Sequence, residues 1–329
     1  MKLITYVDIP NYDFKINYDS TLIFSGSCFA ENMGEKLSER KFYVSINPTG
    51  INYNPISLAN SIKRAINQNP ISENELFLHE GVWHHFDFHS RLSKTDKYQT
   101  LNQINTAIKN FSDKLKSADF IFISLGTAMV FELKSNSQTV ANCHKLPAKN
   151  FTHRIISTEE FENIWENLLK NLFSFNKKIK IIFTVSPVRY FNEGAISNSF
   201  SKAILFTGLS KLLNNSLFKS KIYYFPAYEI LIDELRDYRY YTEDLVHPSN
   251  LAINYIYQKF SEACFDKYTQ SLIKQIEEIL MARLHRPFNP DSNEYRKFCS
   301  KNLEKINVIL QKHPDLNFSE EINYFKKFA

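Results

Sequence analysis

"FSGSCFAENMG", residues 24–34, decides how the chain is read. An apolar run, Leu22-Ile23-Phe24, reaches Gly26, and Ser27 and Cys28 follow side by side before what reads as the first turn of a helix. A hydroxyl and a thiol at the end of a strand look like a nucleophile station. Outward from this stretch, "DFIFISLG" at 119–126, "KIIFTVSP" at 180–187 and "KIYYFP" at 221–226 also read as buried strands, with "FYVSIN" at 42–47 as a fifth. Helical patterns at 29–40, 55–68, 101–117, 158–175 and about 197–218 lie between them. Strands alternating with helices predict an α/β fold with a parallel sheet covered on both faces. Such sheets bind ligands at the carboxyl ends of their strands.

Residues 69–100 break the rhythm with short strand-like pieces rich in histidine and aromatics, and are expected to form an insertion, a hairpin among the possibilities. From 249 the pattern is helical through about 284, is broken by "HRPFNPDSNEY", and resumes near 293–312. The expected division is a domain over 1–262 and a helical appendage over 263–329. Among 329 residues, 28 Phe and 18 Tyr supply a large core and exclude a disordered chain. Forty Lys and Arg against 35 Asp and Glu give a net charge of +5, spread along the chain and not gathered in a block, so no nucleic-acid partner is expected. The four cysteines are far apart and read as free thiols. The first fourteen residues carry Asp8 and Pro10 and no long apolar run, unlike a secretory signal. No stretch approaches the roughly 18 apolar residues of a membrane helix. A cytoplasmic protein without a membrane partner is the expectation.

With seven glycines in the chain, each is expected to meet a backbone requirement. Gly26 and Gly126 both end predicted strands, which parallel pairing would bring to one edge of the sheet. Cys28 at a helix N-terminus would meet unpaired N–H groups and the positive end of the helix dipole, which favour the thiolate. The same N–H groups suit an oxyanion. The alternative is a buried, inert cysteine. In "YYTEDLVHPSN" at 240–250, Asp244 and His247 stand three residues apart, and Pro248 biases His247 away from helical geometry. A carboxylate in such a loop holds the imidazole in one tautomer and leaves the other nitrogen for a nucleophile. The pair also reads as a turn cap beside a structural histidine.

The blocks "GSCFAENMG", "LGTAMVFE", "NCHKLPAK", "SPVRY", "YFPAYEI" and "DELRDYRYYTEDLVHPS" resemble the GSCFA family over roughly residues 20–260, and "HRPFNP" resembles the family's tail. That family is similar to the SGNH/GDSL hydrolases. The resemblance implies a three-layer α/β/α, flavodoxin-like (SGNH-hydrolase-like) sheet with a helical C-terminal extension. It implies a hydrolase or acyltransferase acting on ester or thioester bonds, without a cofactor, on a small-molecule or carbohydrate ester. Aligned with the superfamily's Gly-Asp-Ser block, Cys28 takes the place of the nucleophilic serine, with Ser27 as the fallback. Asp244 and His247 match the terminal Asp-x-x-His block. The superfamily's Gly-x-Asn-Asp block falls on "GTAM" at 126–129, where the asparagine is absent. The oxyanion donors expected are therefore the backbone N–H groups of Cys28 and Gly126, with Asn142 as a side-chain substitute. A rival reading is a non-catalytic binding module for an acylated or sugar ligand.

Three further groups carry expectations. In "WHHFDFHSR" at 83–91, an extended backbone would put His85, Asp87 and His89 on one face. That makes a metal-dependent hydrolase a third reading, although the stronger expectation is no metal, with His85 and His89 lining a substrate pocket. Arg189 in "SPVRY" is expected either to meet an anionic substrate or to form a structural ion pair. "ELRDYRYY" at 234–241 is expected to pack the Asp244–His247 loop, with Arg236 or Arg239 fixing a carboxylate. Cys143 and His144, adjacent on one segment, are not expected to form a dyad. The oligomeric state is not readable from the sequence.

Overall fold

The computed structural model describes residues 4–329, so residues 1–3 of the N-terminal stretch read above lie outside the described residues. Its centre is a five-stranded sheet built from β1 (Leu22–Gly26), β2 (Val44–Ile46), β5 (Phe120–Leu125), β9 (Lys180–Val185) and β10 (Ile222–Tyr224). The order is β10-β9-β5-β1-β2, and all four pairings are parallel. Alternation along these strands divides the core in two. Ile23, Ile121, Ile123, Phe183 and Val185 face one side, where they pack against α2 (Pro55–Asn67), α3 (Lys97–Ser117), α4 (Thr158–Phe175) and α5 (Gly194–Asn214). Leu22, Phe24, Phe120, Phe122 and Ile182 face the other, where Phe29, Met33 and Leu37 of α1 (Cys28–Glu39) and Ile256 and Phe260 of α7 (Asn250–Cys264) cover them. The chain is thus a three-layer α/β/α fold with its strands' carboxyl ends on one edge.

Two small sheets decorate that edge. The insertion at 69–100 contains an antiparallel hairpin, β3 (Phe77–His79) with β4 (Val82–His84). Directly after β5 a second sheet forms from β6 (Met129–Leu133), β7 (Thr139–Val140) and β8 (Phe151–Ile155), in the order β7-β6-β8. The sequence reading missed this sheet, because its strands are short and their outer faces carry Glu132, Thr152 and Arg154 in place of a continuous apolar run.

A short turn, α6 (Ala227–Glu229), follows β10. The helical stretch read from 249 to 284 is two helices: Phe265 is drawn into the core, and Asp266 caps α8 (Lys267–Leu284) by accepting from Thr269 N at 2.6 Å. With α9 (Asn293–Lys312) and α10 (Ser319–Lys326), α8 encloses a separate cluster around Ile276, Cys299, Ile306, Phe318 and Phe325. Arg40, just past α1, pairs with Glu277 at 2.7 Å, and Lys41 pairs with the buried Glu321 at 2.9 Å, fastening this cluster to the sheet layer. No helix among the described residues is long and apolar enough to cross a membrane.

Candidate active site at the strand ends

The first strand ends under a steric constraint. Gly26 has φ +128°, and a Cβ there would lie 2.2 Å from Ser124 O of the neighbouring strand. Only glycine fits so close an approach in that backbone region. The turn it permits sets Ser27 as the N-cap of α1, but Ser27 does not cap: its hydroxyl meets Ser124 Oγ at 2.8 Å and is buried. The N–H groups of Cys28 and Phe29 consequently have no backbone or capping partner among the described residues, and both lie close enough to the Cys28 sulfur to favour its charged form. These donors favour a thiolate, as the sequence predicts. Burial opposes them and is the larger effect, so the half-buried thiol is pushed above its ordinary value, with Glu31 adding to the rise. The expectation of a lowered thiol pKa is thus corrected: at rest Cys28 holds its proton.

Cys28 opens on a cavity of about 320 Å³ at the carboxyl edge of the sheet. Tyr53, Val188, Tyr190 and Phe191 give it aromatic and aliphatic walls, and Gly126 and Ser186 line it from the ends of β5 and β9. His247 lines the same cavity. Its loop is a tight knot of hydrogen bonds: Asp244 Oδ1 accepts from Thr242 Oγ1 at 2.7 Å and from the backbone N–H groups of Val246 and His247, each at 2.9 Å. Asp244 Oδ2 lies 2.6 Å from His247 Nδ1. Donors on three sides, the His247 N–H first, hold the Asp244 carboxyl well below the usual range. The carboxylate therefore fixes a proton on Nδ1 and turns Nε2 outward as the basic nitrogen. Both line one cavity, but among the described residues no hydrogen bond links His247 to the Cys28 thiol.

The structure corrects the other assignments. Gly126 N and Thr127 N both donate to Tyr53 O, at 2.8 and 3.0 Å, so the Gly126 amide is not free for an oxyanion. Gly126 is needed for packing instead, since a Cβ there would lie 2.9 Å from Tyr53 O. Asn142 does not line the cavity: Oδ1 accepts from His144 N at 2.8 Å and Nδ2 donates to Ser90 Oγ at 3.3 Å. Residues 85–89 turn instead of extending, because Phe88 N closes on His85 O at 3.2 Å and Phe88 enters a small core. His85, Asp87 and His89 then go separate ways. His85 is buried with Nε2 3.6 Å from Glu75, Asp87 pairs with Arg64 at 3.0 Å, and His89 Nδ1 accepts from Arg91 N at 3.2 Å. Neither histidine lines the cavity, and no three His, Cys, Asp or Glu among the described residues are grouped to hold a metal ion.

Arg189 lines the cavity and also serves structure, with its buried Nε left without a hydrogen-bond partner among the described residues. It donates to Leu245 O at 2.6 Å and lies between the rings of Phe191 and Tyr241, 4.6 and 4.8 Å from their centroids. It helps hold the His247 loop from outside the 234–241 segment; that segment bonds to the loop as well, through Ser249 N to Tyr240 O at 2.8 Å, and within it Arg239 fixes a carboxylate, that of Asp237, at 2.8 Å. The sequence reading missed Tyr53 and Lys202. Lys202 shows a usable signal: it falls at the spacing of Asn198, Ser201, Leu205 and Leu209 on the buried stripe of α5.

These features describe a class: a three-layer α/β protein with a thiol and a carboxylate-held histidine at one strand-edge cavity. The chain belongs to the GSCFA family, whose model matches residues 21–260, and the C-terminal domain of GSCFA domain proteins matches residues 276–328. No curated protein matches the sequence. Among solved structures, an acetyl xylan esterase from the rumen bacterium Butyrivibrio proteoclasticus matches with a TM-score of 0.38 and 11% identity, over 78% of this chain and 64% of the esterase. The chain thus spans less than two thirds of that enzyme's length.

Proposed function

We propose that the protein is an esterase-like hydrolase that works through Cys28, His247 and Asp244, on a small-molecule or carbohydrate ester or a thioester. The observation that carries this reading is a shared cavity: Cys28, with two unpaired N–H groups at its sulfur, and His247, with Nδ1 bonded to Asp244, line the same space. In the proposed step His247 Nε2 takes the thiol proton as the sulfur attacks the carbonyl carbon. The C=O π bond opens, and the negative oxygen meets the N–H groups of Cys28 and Phe29. Asp244 stabilises the imidazolium. The proton then passes to the leaving alkoxide or thiolate, and water, or an acceptor alcohol in a transferase, cleaves the thioester. A protonated resting thiol fits this order, since the proton leaves only in the attack. Hydrogen bonds of this kind are often long in a free enzyme and tighten on substrate.

The binding-module reading draws on a different observation: Asn142 and the Gly126 amide, two expected oxyanion donors, are engaged elsewhere. Turnover of p-nitrophenyl acetate decides between the two. The hydrolase reading expects saturable turnover that falls about thousandfold in Cys28→Ala and in His247→Ala. A wild-type protein that binds but never cleaves esters across an acyl-chain series would leave the binding module.

A further inference from the structure

α5 crosses beneath the cavity with Lys202 on its buried face. The lysine is 2% exposed, and Nζ donates to Gly126 O and to Ser186 O, each at 2.7 Å. Those carbonyls sit at the ends of β5 and β9, and both residues line the cavity. Ser201, the preceding residue, accepts from Ala128 N at 2.7 Å and meets Thr127 Oγ1 at 2.9 Å. Two adjacent side chains of one helix therefore hold segment 126–128 and tie it to the next strand. No carboxylate among the described residues balances the lysine; the ionisable group whose charge it feels is Cys28. Burying a cation without a carboxylate is costly, and a neutral donor would brace two carbonyls at less expense. A cation kept here points to a use for its charge.

We propose that Lys202 is a positioning residue of this site, tying together the two strand ends that floor the cavity and setting, through its charge, how readily Cys28 releases its proton. The inference rests on reading Cys28 as the reacting group. Two acceptors satisfy both N–H bonds of a neutral amine, and the ammonium form adds a third donor and a positive charge. Burial draws the Lys202 pKa down to about 7, so both forms exist near neutrality, and a charged Cys28 draws it back up. In return the Lys202 cation favours the thiolate against burial and against Glu31. The other groups facing the pair are the Tyr228 ring, 5.6 Å from Nζ, with Tyr53 and His247 on the cavity wall.

The test is the pH dependence of Cys28 alkylation by iodoacetamide, read by peptide mass spectrometry. At about pH 6, where Lys202 is mostly charged, Lys202→Met and Lys202→Gln should alkylate Cys28 about tenfold more slowly than wild type, with the contrast shrinking above about pH 7, while Cys143, half-buried elsewhere, keeps its rate. An unchanged Cys28 rate in either folded variant overturns the proposal. Because those variants remove a buried brace, a second arm uses Cys28→Asp, which places a fixed negative charge at the sulfur's position. In protein labelled with 13C at lysine Cε, the titration midpoint of Lys202 should rise when the carboxylate replaces the thiol, since coupling is reciprocal. An unmoved midpoint overturns the proposal as well. Neither readout involves an ester. Coupled titrations without turnover would sink the hydrolase reading and leave this inference standing, and turnover with independent titrations would do the reverse.

Discussion

Two regions of this molecule gather reactive side chains, and they differ in what those side chains have left to offer. The insertion and the loop after β7 bring together His84, His85, His89, Asn142 and His144. Their groups are largely spent: His84 Nδ1 meets Ser93 Oγ at 2.8 Å, His85 Nδ1 accepts from Asp87 N at 3.0 Å, and His144 reaches Ser90 Oγ at 3.2 Å and His85 O at 2.9 Å. Burial, with the neighbouring histidines, pulls His144 down to about 4, so it stays neutral and serves as a hydrogen-bonding strut. At the strand ends, by contrast, Cys28 meets unpaired N–H groups, and His247, bonded through Nδ1 to Asp244, lines an open cavity. A count of histidines favours the first region. Unspent donors and acceptors beside empty space favour the second.

Breaking one group in each region separates them most sharply. Cys28→Ala should remove turnover about thousandfold and leave stability nearly untouched, whereas His144→Ala should cost about 2 kcal/mol of stability and keep turnover per folded molecule within about twofold. Denaturant melts beside kcat/KM check both arms, and a His144 variant that is stable but inactive would erase the distinction. Asp244→Asn tests whether the carboxylate does more than cap a turn. Turnover should fall roughly hundredfold through loss of the Nδ1 tautomer, with a smaller change in KM.

Legibility followed the same division between geometry and satisfaction. The sheet could be read because its strands are continuous apolar runs ending in glycine, and Gly26 occupies a backbone region that other residues enter only with strain. Cys28, Asp244 and His247 could be picked out because their short motifs sit at loop positions fixed by strand ends and by Pro248. The fate of Asn142 and of the Gly126 amide could not, since each depends on a partner far away in the chain: Ser90 for one, Tyr53 for the other. The thiol pKa was misjudged for a related reason. A helix N-terminus is visible in sequence, and the burial that outweighs it is set by the walls of the cavity.

Smaller effects sharpen the comparison. Lys202 has a folded-state pKa of about 7 against its ordinary 10.5, so between those values the unfolded chain binds more protons than the native one. Stability should therefore rise as pH climbs through that window, and the full cost of burying the cation should be present below it. Subtracting the profile of Lys202→Met from that of wild type isolates this contribution, expected at a few kcal/mol; parallel profiles would contradict it. Ser27→Ala should be the mildest change. It leaves the Ser124 hydroxyl without its partner, costing about 1 kcal/mol, and turnover should stay within about threefold.

The central claim is that Cys28 forms the covalent intermediate. Wild-type protein quenched in acid during steady-state turnover of p-nitrophenyl acetate should carry one acetyl group, about 42 Da, mapped by peptide fragmentation to Cys28. The adduct should persist in Ser27→Ala and be missing from Cys28→Ala. Its formation should slow at least about hundredfold in His247→Ala, because an unassisted thiol lacks its base. An acetyl group found on Ser27, or a Cys28 adduct that forms as fast without His247, would contradict the account.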